Sequence, residues 1–235
     1  MIFRQLFEPQ SSAYTYLLGC RRTREAALID PVLETVERDL ALIRELGLTL
    51  TYTLETHIHA DHVTGAGRLR EATGCKAGMP ERSNAHHVDR PIREGEPIAV
   101  GDLSIEPLHT PGHTDDHHCY LVDGVDGPRI FTGDVLLIDG CGRSDFQQGD
   151  AAALYRSVHD KIFTLPDETL VYPGHDYQQR RVSSVAQERA RNARLGAGKS
   201  LDEFVAIMAA LDLPRPKKMD IAVPANRECG VPQNA

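Results

Sequence analysis

The sequence lacks the features that mark a secreted, membrane or nucleic-acid-binding protein. Its five cysteines are odd in number and widely spaced, and no Cys-x-x-Cys pair occurs, which argues against a disulfide framework and a cysteine zinc site. No apolar run approaches the roughly 18 residues of a membrane span, and no secretory signal opens the chain. A net charge of -8 leaves no basic field for nucleic acid or an anionic membrane. We expect a cytoplasmic protein that binds neither nucleic acid nor a membrane.

The composition is that of an ordinary globular protein. Of 235 residues, 41% are hydrophobic and 26% are charged, which is enough apolar material for a substantial core. No internal repeat, low-complexity segment or linker interrupts the chain. We therefore expect a single domain over residues 1–235.

Short strand-like runs and helical periodicity alternate along the chain. The predicted strands are residues 2–7, 13–18, 26–29, 48–54, 75–78, 98–109 (a hairpin), 118–122, 129–132 and 169–172. Helical spacing follows residue 30, residue 64 and residue 150, and a capping-box pattern at Ser200 and Glu203 opens a last clear helix. Grouped strands with helices outside them predict an α+β protein in which two sheets lie face to face under outer helices.

The densest functional pattern follows the strand over residues 48–54. His57, His59, Asp61 and His62 occur within six positions, and alternate residues of an extended segment project to one side. Imidazoles and carboxylates that converge in this way predict a metal site.

Three later loops carry further candidate ligands, each beside a glycine at the end of a strand-like run. Without a Cβ, glycine lets the backbone turn sharply and bring its neighbour's side chain inward. The additional candidates are His113 in Thr-Pro-Gly-His, Asp134 in Thr-Gly-Asp and His175 in Pro-Gly-His.

Together these motifs resemble those of the metallo-β-lactamase superfamily, along nearly the whole chain. The resemblance implies an αββα sandwich of two mixed sheets with metal at the edge between them. In two-metal hydrolases of the superfamily, one metal is held at positions matching His57, His59, His113 and Asp134. The other metal is held at positions matching Asp61, His62, Asp134 and His175.

Residues 56–62, 131–149 and 223–230 more closely resemble the persulfide dioxygenases, also called sulfur dioxygenases. That resemblance implies one Fe(II) per chain, held by His57, His113 and Asp134, and oxidation of glutathione persulfide by O2 and water to sulfite and glutathione. Two imidazoles and one carboxylate leave three positions of an octahedral ion open, so persulfide and O2 can bind side by side. The resemblance leaves the second metal site empty. The remaining candidates are then expected to orient the ligands; they are His59, Asp61, His62 and His175.

Glutathione carries two carboxylates, which an acidic protein must meet with a local cation. Arg143, nine positions after Asp134 on a glycine-rich loop, is the best-placed arginine, and the family has arginine there. Tyr177 and Arg227 are further substrate-binding candidates. Other suggestive residues are expected to be packed or solvated rather than functional; they are Cys141, Cys229, His86, His87, His117 and His118.

Two alternatives stay open. A two-zinc thioester hydrolase of the glyoxalase II type would share the motifs, but such enzymes generally have a longer helical C-terminal extension, whereas about 60 residues with one clear helix follow His175. A non-catalytic metal-binding scaffold would be expected to have lost ligands, and all seven are present. As a partner we expect a second copy of the chain in a homodimer. Because no rhodanese-like domain is fused to this sequence, we also expect a separate persulfide-generating or sulfur-transfer enzyme.

Overall fold

The first half of the chain forms one mixed sheet and the second half forms another. The computed structural model describes residues 1–124 and 127–231. The first sheet contains, in spatial order, β1 (Ile2–Glu8), β2 (Ala13–Gly19), β3 (Glu25–Ile29), β4 (Thr49–Leu54), β5 (Lys76–Pro80) and β6 (Arg90–Ile92). Its first three strands are antiparallel, and β3 to β6 run parallel. Helices α1 (Val36–Glu45) and α2 (Ala66–Thr73) connect its parallel strands.

In the second sheet, as in the first, strands that are consecutive in sequence are neighbours in space. Its strands are β7 (Ile98–Val100), β8 (Leu103–His109), β9 (His118–Gly124), β10 (Gly127–Gly133), β11 (Leu170–Pro173) and β12 (Ser183–Ser184). Only β10 and β11 are parallel, because α3 (Ala151–Ser157) and the π-helical turn Val158–Ile162 cross between them. Three helices follow: α4 (Val185–Arg191), α5 (Leu201–Ala209) and α6 (Met219–Arg227).

The main core lies between the two sheets, where inward-facing side chains of both interleave. Tyr16 of the first sheet and Phe131 of the second are fully buried, with ring centroids 4.8 Å apart. A second apolar cluster joins the first sheet to α1 and α2, and a third joins the other sheet to α3 and α5. The predicted αββα sandwich is therefore confirmed, and burial of both faces of each sheet provides most of the driving force for folding.

The C-terminal region differs from the prediction. One clear helix was expected after His175, and that helix is α5, with its predicted capping box between Ser200 and Glu203. The structure also contains α4 and α6, so the region after His175 is more helical than the one clear helix expected from the sequence. Pro224 lies inside α6, and a proline normally disrupts a helix interior, which explains why the pattern of α6 was not recognised. No helix in residues 1–124 and 127–231 has the length and apolarity needed to cross a membrane.

Candidate metal centre

The candidate ligands come together where the strand ends of both sheets meet. His57 lies in the irregular segment after β4, and His113 lies in the loop from β8 to β9. Asp134 directly follows β10, and His175 follows the neighbouring parallel strand β11. Because loops at the same edge of a sheet converge, residues more than 100 positions apart in sequence line one site.

His57, His113 and Asp134 form one candidate ligand set. Each offers one ligand atom, and the three atoms lie within 4.8 Å of one another. His113 Nε2 and Asp134 Oδ2 are 3.6 Å apart, and the rings of His57 and His113 are nearly perpendicular with centroids 4.8 Å apart. This is the set that the family resemblance implied.

The two imidazoles are oriented so that Nε2 is left for a metal. His113 Nδ1 lies 2.6 Å from the carbonyl oxygen of Arg143, to which it must donate a hydrogen. The Thr56 hydroxyl donates to Asp30 at 2.9 Å and therefore accepts from His57 Nδ1, also at 2.9 Å. In both rings Nε2 then carries the lone pair that a metal requires.

Asp134 is arranged in the same way. Its Oδ1 accepts a hydrogen bond of 2.7 Å from His175 Nδ1, which leaves Oδ2 on the side of His113. Burial opposes ionisation of Asp134, yet the charges of His175 and His113 hold its carboxyl pKa well below the usual value. Burial, followed by the neighbouring histidines, holds the pKa of His57 well below its usual value, so that its imidazole is neutral. An anionic carboxylate and a neutral imidazole are the forms that bind a metal, so Asp134 and His57 fit one. His113 fits through its geometry, because its Nδ1 is bonded to the carbonyl oxygen of Arg143 and its Nε2 faces Asp134.

The four other predicted residues lie beside this set. His175 Nε2 donates to Asp61 at 3.0 Å, and Asp61 also bonds His62 Nδ1 at 2.9 Å. Burial alone would lower the pKa of His175, but Asp134 and Asp61 raise it well above its usual value. A second trio of mutually close ligand atoms consists of His59, Asp61 and His62. Nδ1 of His59 and Nε2 of His62 are buried and have no partner among the described residues.

Side chains from distant segments hold the backbone that carries His57 and His59, and none of these residues was predicted. The carboxylate of Asp116 accepts from Ile58 N at 3.0 Å, and the amide of Gln147 donates to Ile58 O at 2.7 Å. Asn226 of α6 donates to the carbonyl oxygens of His59 and His62, both at 2.9 Å, and accepts from the amide of Thr64 at 2.8 Å. The sequence offered only a weak signal, since isolated polar residues rarely reveal their partners.

The predicted role of the glycines is confirmed at two positions. Gly133 has φ +46°, and a Cβ there would lie 2.5 Å from His117 Nε2. A Cβ at Gly174 would lie 2.7 Å from Asp134 Oδ1. Both glycines therefore permit the backbone to approach the site more closely than any other residue would allow.

The three predicted substrate-binding residues have different surroundings. The Arg143 guanidinium pairs with both oxygens of Asp145, at 2.6 and 2.7 Å, and donates to Pro214 O at 2.7 Å. The Tyr177 side chain is 78% exposed, and its ring is parallel to that of His175 with centroids 6.3 Å apart. Arg227 is exposed on α6, directly after Asn226.

The residues expected to be packed or solvated fall into an exposed group and a buried group. His86 and His87 are exposed beside Glu228, whereas the remaining four are buried: Cys141, Cys229, His117 and His118.

The metallo-β-lactamase superfamily model matches residues 9–175. The mouse (Mus musculus) protein "Persulfide dioxygenase ETHE1, mitochondrial" is 52% identical over 98% of this chain and 89% of its own length. The crystal structure of ETHE1 from Myxococcus xanthus has a TM-score of 0.94 and 54% identity, and the alignment covers 98% of this chain and 100% of that one.

Hydrolases and other metal-bound members of the superfamily are more distant. Hydroxyacylglutathione hydrolase of Rhodospirillum rubrum (strain ATCC 11170 / ATH 1.1.1 / DSM 467 / LMG 4362 / NCIMB 8255 / S1) is 37% identical over 80% of this chain and 71% of its own length. TTHA1623 in a di-iron-bound form has a TM-score of 0.64 and 27% identity, covering 84% of this chain and 99% of that one. The predictions of a persulfide dioxygenase and of iron as its cofactor are confirmed over the hydrolase alternative. The chain belongs to the metallo-β-lactamase superfamily and, within it, to the persulfide dioxygenases.

Proposed function

We propose that this chain oxidises glutathione persulfide with O2 and binds one Fe(II) through Nε2 of His57, Nε2 of His113 and Oδ2 of Asp134. One observation carries the proposal: each of these residues has its other polar atom fixed by a hydrogen bond, so a single ligand atom of each faces a common point. A ferrous ion bound there would supply the redox chemistry that activation of O2 requires.

The overall reaction balances without another oxidant. Glutathione persulfide, O2 and water give glutathione, hydrogen sulfite and one proton. The S–S bond breaks, the outer sulfur loses four electrons to O2, and O2 and water together provide its three oxygens.

We further propose that the remaining candidates orient the ligands instead of binding the iron. His175 holds a hydrogen on Nδ1 toward Asp134 and one on Nε2 toward Asp61, which fixes the carboxylate plane of Asp134. His59 Nε2 lies 3.1 Å from Asp30, and His62 is held by Asp61, so both rings are anchored beside the ligand set.

We propose that Arg143, Tyr177 and Arg227 bind glutathione, with a substrate carboxylate taking the place of Asp145 on the Arg143 guanidinium. The Asp145 side chain is 58% exposed, so water and substrate can compete for its position.

We expect Arg143→Ala to raise KM for glutathione persulfide more than it lowers kcat, because a carboxylate contact is lost. Asp145→Asn is expected to lower KM, because it frees the guanidinium. Steady-state oxygen-uptake kinetics measure both, and an unchanged KM in both variants would remove Arg143 from the binding site.

The decisive experiment combines metal analysis with oxygen uptake. Protein loaded with Fe(II) is expected to contain one iron per chain and to consume one O2 per glutathione persulfide, with sulfite as product. His57→Ala is expected to lose both iron and activity, whereas His86→Ala, which changes an exposed histidine, retains them. Two zinc ions per chain, thioester hydrolysis and no oxygen uptake would overturn the proposal.

The trio His59, Asp61 and His62 retains the ligand types of a second metal site. Hydrolysis of hydroxyacylglutathione thioesters by zinc-loaded protein is therefore the matched assay.

We also propose that residues 1–235 act as one domain, supported by the core shared between the two sheets. A homodimer, a cytoplasmic location and a separate sulfur-transfer enzyme that supplies the persulfide stay predictions from the sequence.

A further inference from the structure

His117 is a buried histidine directly behind the proposed iron ligands. Its side chain is fully enclosed, and its ring lies nearly parallel to that of His57, with centroids 5.2 Å apart and an interplanar angle of 27°. Its Nε2 lies 3.2 Å from the backbone nitrogen of Asp134. One side chain therefore contacts two of the three residues that would hold iron.

The hydrogen bonds of His117 fix both its orientation and its tautomer. The Asp134 amide can only donate, so Nε2 of His117 must accept. The hydrogen then lies on Nδ1, which donates to the Thr110 hydroxyl at 2.9 Å. That hydroxyl also forms a hydrogen bond of 3.2 Å with the Cys119 sulfur. Both ring nitrogens are thus satisfied, so the ring is held at its two ends.

The ring of His117 is closely packed against the backbone at Gly133. A Cβ at Gly133 would lie 2.5 Å from His117 Nε2, so the ring fills the position that a side chain there would occupy. The ring of His113 also approaches edge-on, with a centroid distance of 6.3 Å. His117 is therefore enclosed between the backbone of the strand end that carries Asp134 and the imidazole face of His57.

We propose that His117 is a positioning residue for the iron ligands, acting on His57 through its ring face and on Asp134 through the amide hydrogen. This inference rests on the proposed iron site. The Asp134 amide would otherwise be a buried donor without an acceptor, and the His57 ring would lose the surface that limits its tilt.

His118 provides a matched control in the next position. It is also buried, but as the first residue of β9 it points to the other side. Its Nδ1 donates to the carbonyl oxygen of Asp116 at 2.8 Å, and its ring lies 5.0 Å from that of His109. Its side chain contacts none of the three proposed ligands.

The test compares His117→Phe and His117→Gln with His118→Phe and His118→Gln, all in the full chain loaded with Fe(II). Phenylalanine keeps a ring but cannot accept a hydrogen bond, whereas glutamine keeps an acceptor but has no ring. We expect both His117 variants to release iron to a chelator about 10-fold to 100-fold faster than wild type, and both His118 variants to release it at the wild-type rate. The absorption spectrum of cobalt(II)-substituted protein, which reports ligand geometry, is expected to shift only in the His117 variants.

Iron release and cobalt spectra that are the same in the His117 and His118 variants would assign His117 to packing alone and overturn the inference. The free energy of unfolding is measured for the same variants without iron. If His117 only packs, its variants and those of His118 are expected to lose stability alike. If His117→Phe does not fold, His117→Gln decides the question by itself. Failure of the proposed function is distinguishable, because wild-type protein would then lack iron-dependent oxygen uptake.

Discussion

Single side chains determine which atom of each imidazole faces the metal. Asp30 accepts from both the amide and the hydroxyl of Thr56, at 2.7 and 2.9 Å, and the hydroxyl in turn accepts from His57. Asp30 has φ +49°, a conformation that non-glycine residues rarely adopt. A strained, buried carboxylate at this point is consistent with a role in preorganising the site.

The relay is the pair of hydrogen bonds by which the Thr56 hydroxyl joins Asp30 to His57. Thr56→Val tests this relay, because it keeps the shape of the side chain and removes the hydroxyl. We expect about a 10-fold weaker affinity for Fe(II), since His57 Nδ1 loses its acceptor and the ring can rotate. Chelator competition measures the affinity, and Thr56→Ser is expected to restore it. Thr51→Val is the control, because the Thr51 hydroxyl bonds Ala26 O in the middle of the sheet. Equal affinities in the Val variants would contradict the relay.

Acid sensitivity is expected at His118, whose pKa is lowered to about 4 by burial and by the charges of His109 and Lys161, against a hydrogen bond to Asp116 O. Between about pH 6.5 and that value, the unfolded chain binds a proton that the folded chain does not. The contribution of neutral His118 to the free energy of unfolding is therefore complete above about pH 6.5, and it is lost as the pH falls from there toward about 4.

Denaturant unfolding of the iron-free proteins measures this contribution. We expect wild type to lose on the order of 2 kcal/mol more than His118→Phe between about pH 7 and about pH 5. Parallel pH profiles for the two proteins would show that His118 is not the residue responsible.

At the scale of elements, the most important segment has no regular structure. Residues 55–63 pass beneath the site between β4 and α2 and carry four of the seven candidate ligands. Their backbone groups bond mainly to side chains from elsewhere, such as Asp116 before β9, Gln147 before α3 and Asn226 in α6. Because buried backbone groups need partners, these three side chains replace the hydrogen bonds that a helix or strand would supply.

Asn226→Ala tests the contribution of α6. It leaves two carbonyl oxygens and the Thr64 amide without partners, so we expect the free energy of unfolding to fall by about 2–3 kcal/mol. Hydrogen exchange at the Thr64 amide is expected to accelerate more than exchange at Leu69, whose amide bonds within α2. Met219→Ala is the control, because it shortens a buried side chain at the start of the same helix. If Met219→Ala accelerated exchange at the Thr64 amide as much as Asn226→Ala does, the specific role of Asn226 would be refuted.

The sequence predicted the elements that have strong periodicity and the ligands that follow them. The cluster of candidates in residues 57–62 and the glycines beside His113, Asp134 and His175 indicated seven candidate ligands, because alternate residues of an extended segment project to one side and glycine lets the backbone turn sharply. The division of the seven into iron ligands and orienting residues came from the family resemblance and stays a prediction. The sequence could not predict α6, which contains Pro224, or the different roles of His117 and His118. Those roles depend on which neighbour faces Asp134, and that is set by packing between segments distant in the sequence.

Across the whole molecule, the two sheets are joined by polar contacts as well as by the core. The Tyr120 hydroxyl, on β9, donates at 2.6 Å to the carbonyl oxygen of Glu55, at the end of β4. The bond is buried directly below the metal loop, so it ties the base of that loop to the opposite sheet.

Tyr120→Phe removes only this hydrogen bond. We expect the free energy of unfolding to decrease by about 1–2 kcal/mol, because the Glu55 carbonyl is left unpaired, while the iron content per chain stays the same. Chemical denaturation and metal analysis measure these quantities. Tyr52→Phe is the control, because the Tyr52 hydroxyl forms no hydrogen bond within the described residues. Equal losses in the two variants would contradict a specific contribution from Tyr120.

The division of the chain into one sheet per half has a consequence for its integrity. His57 belongs to the segment that ends with β6, whereas His113 and Asp134 belong to the segment that begins with β7. A polypeptide cleaved in the connection between these two strands would yield two fragments, neither with a complete chelating set. Ferrous ion would then favour their reassociation, since its binding free energy is gained only when the fragments meet.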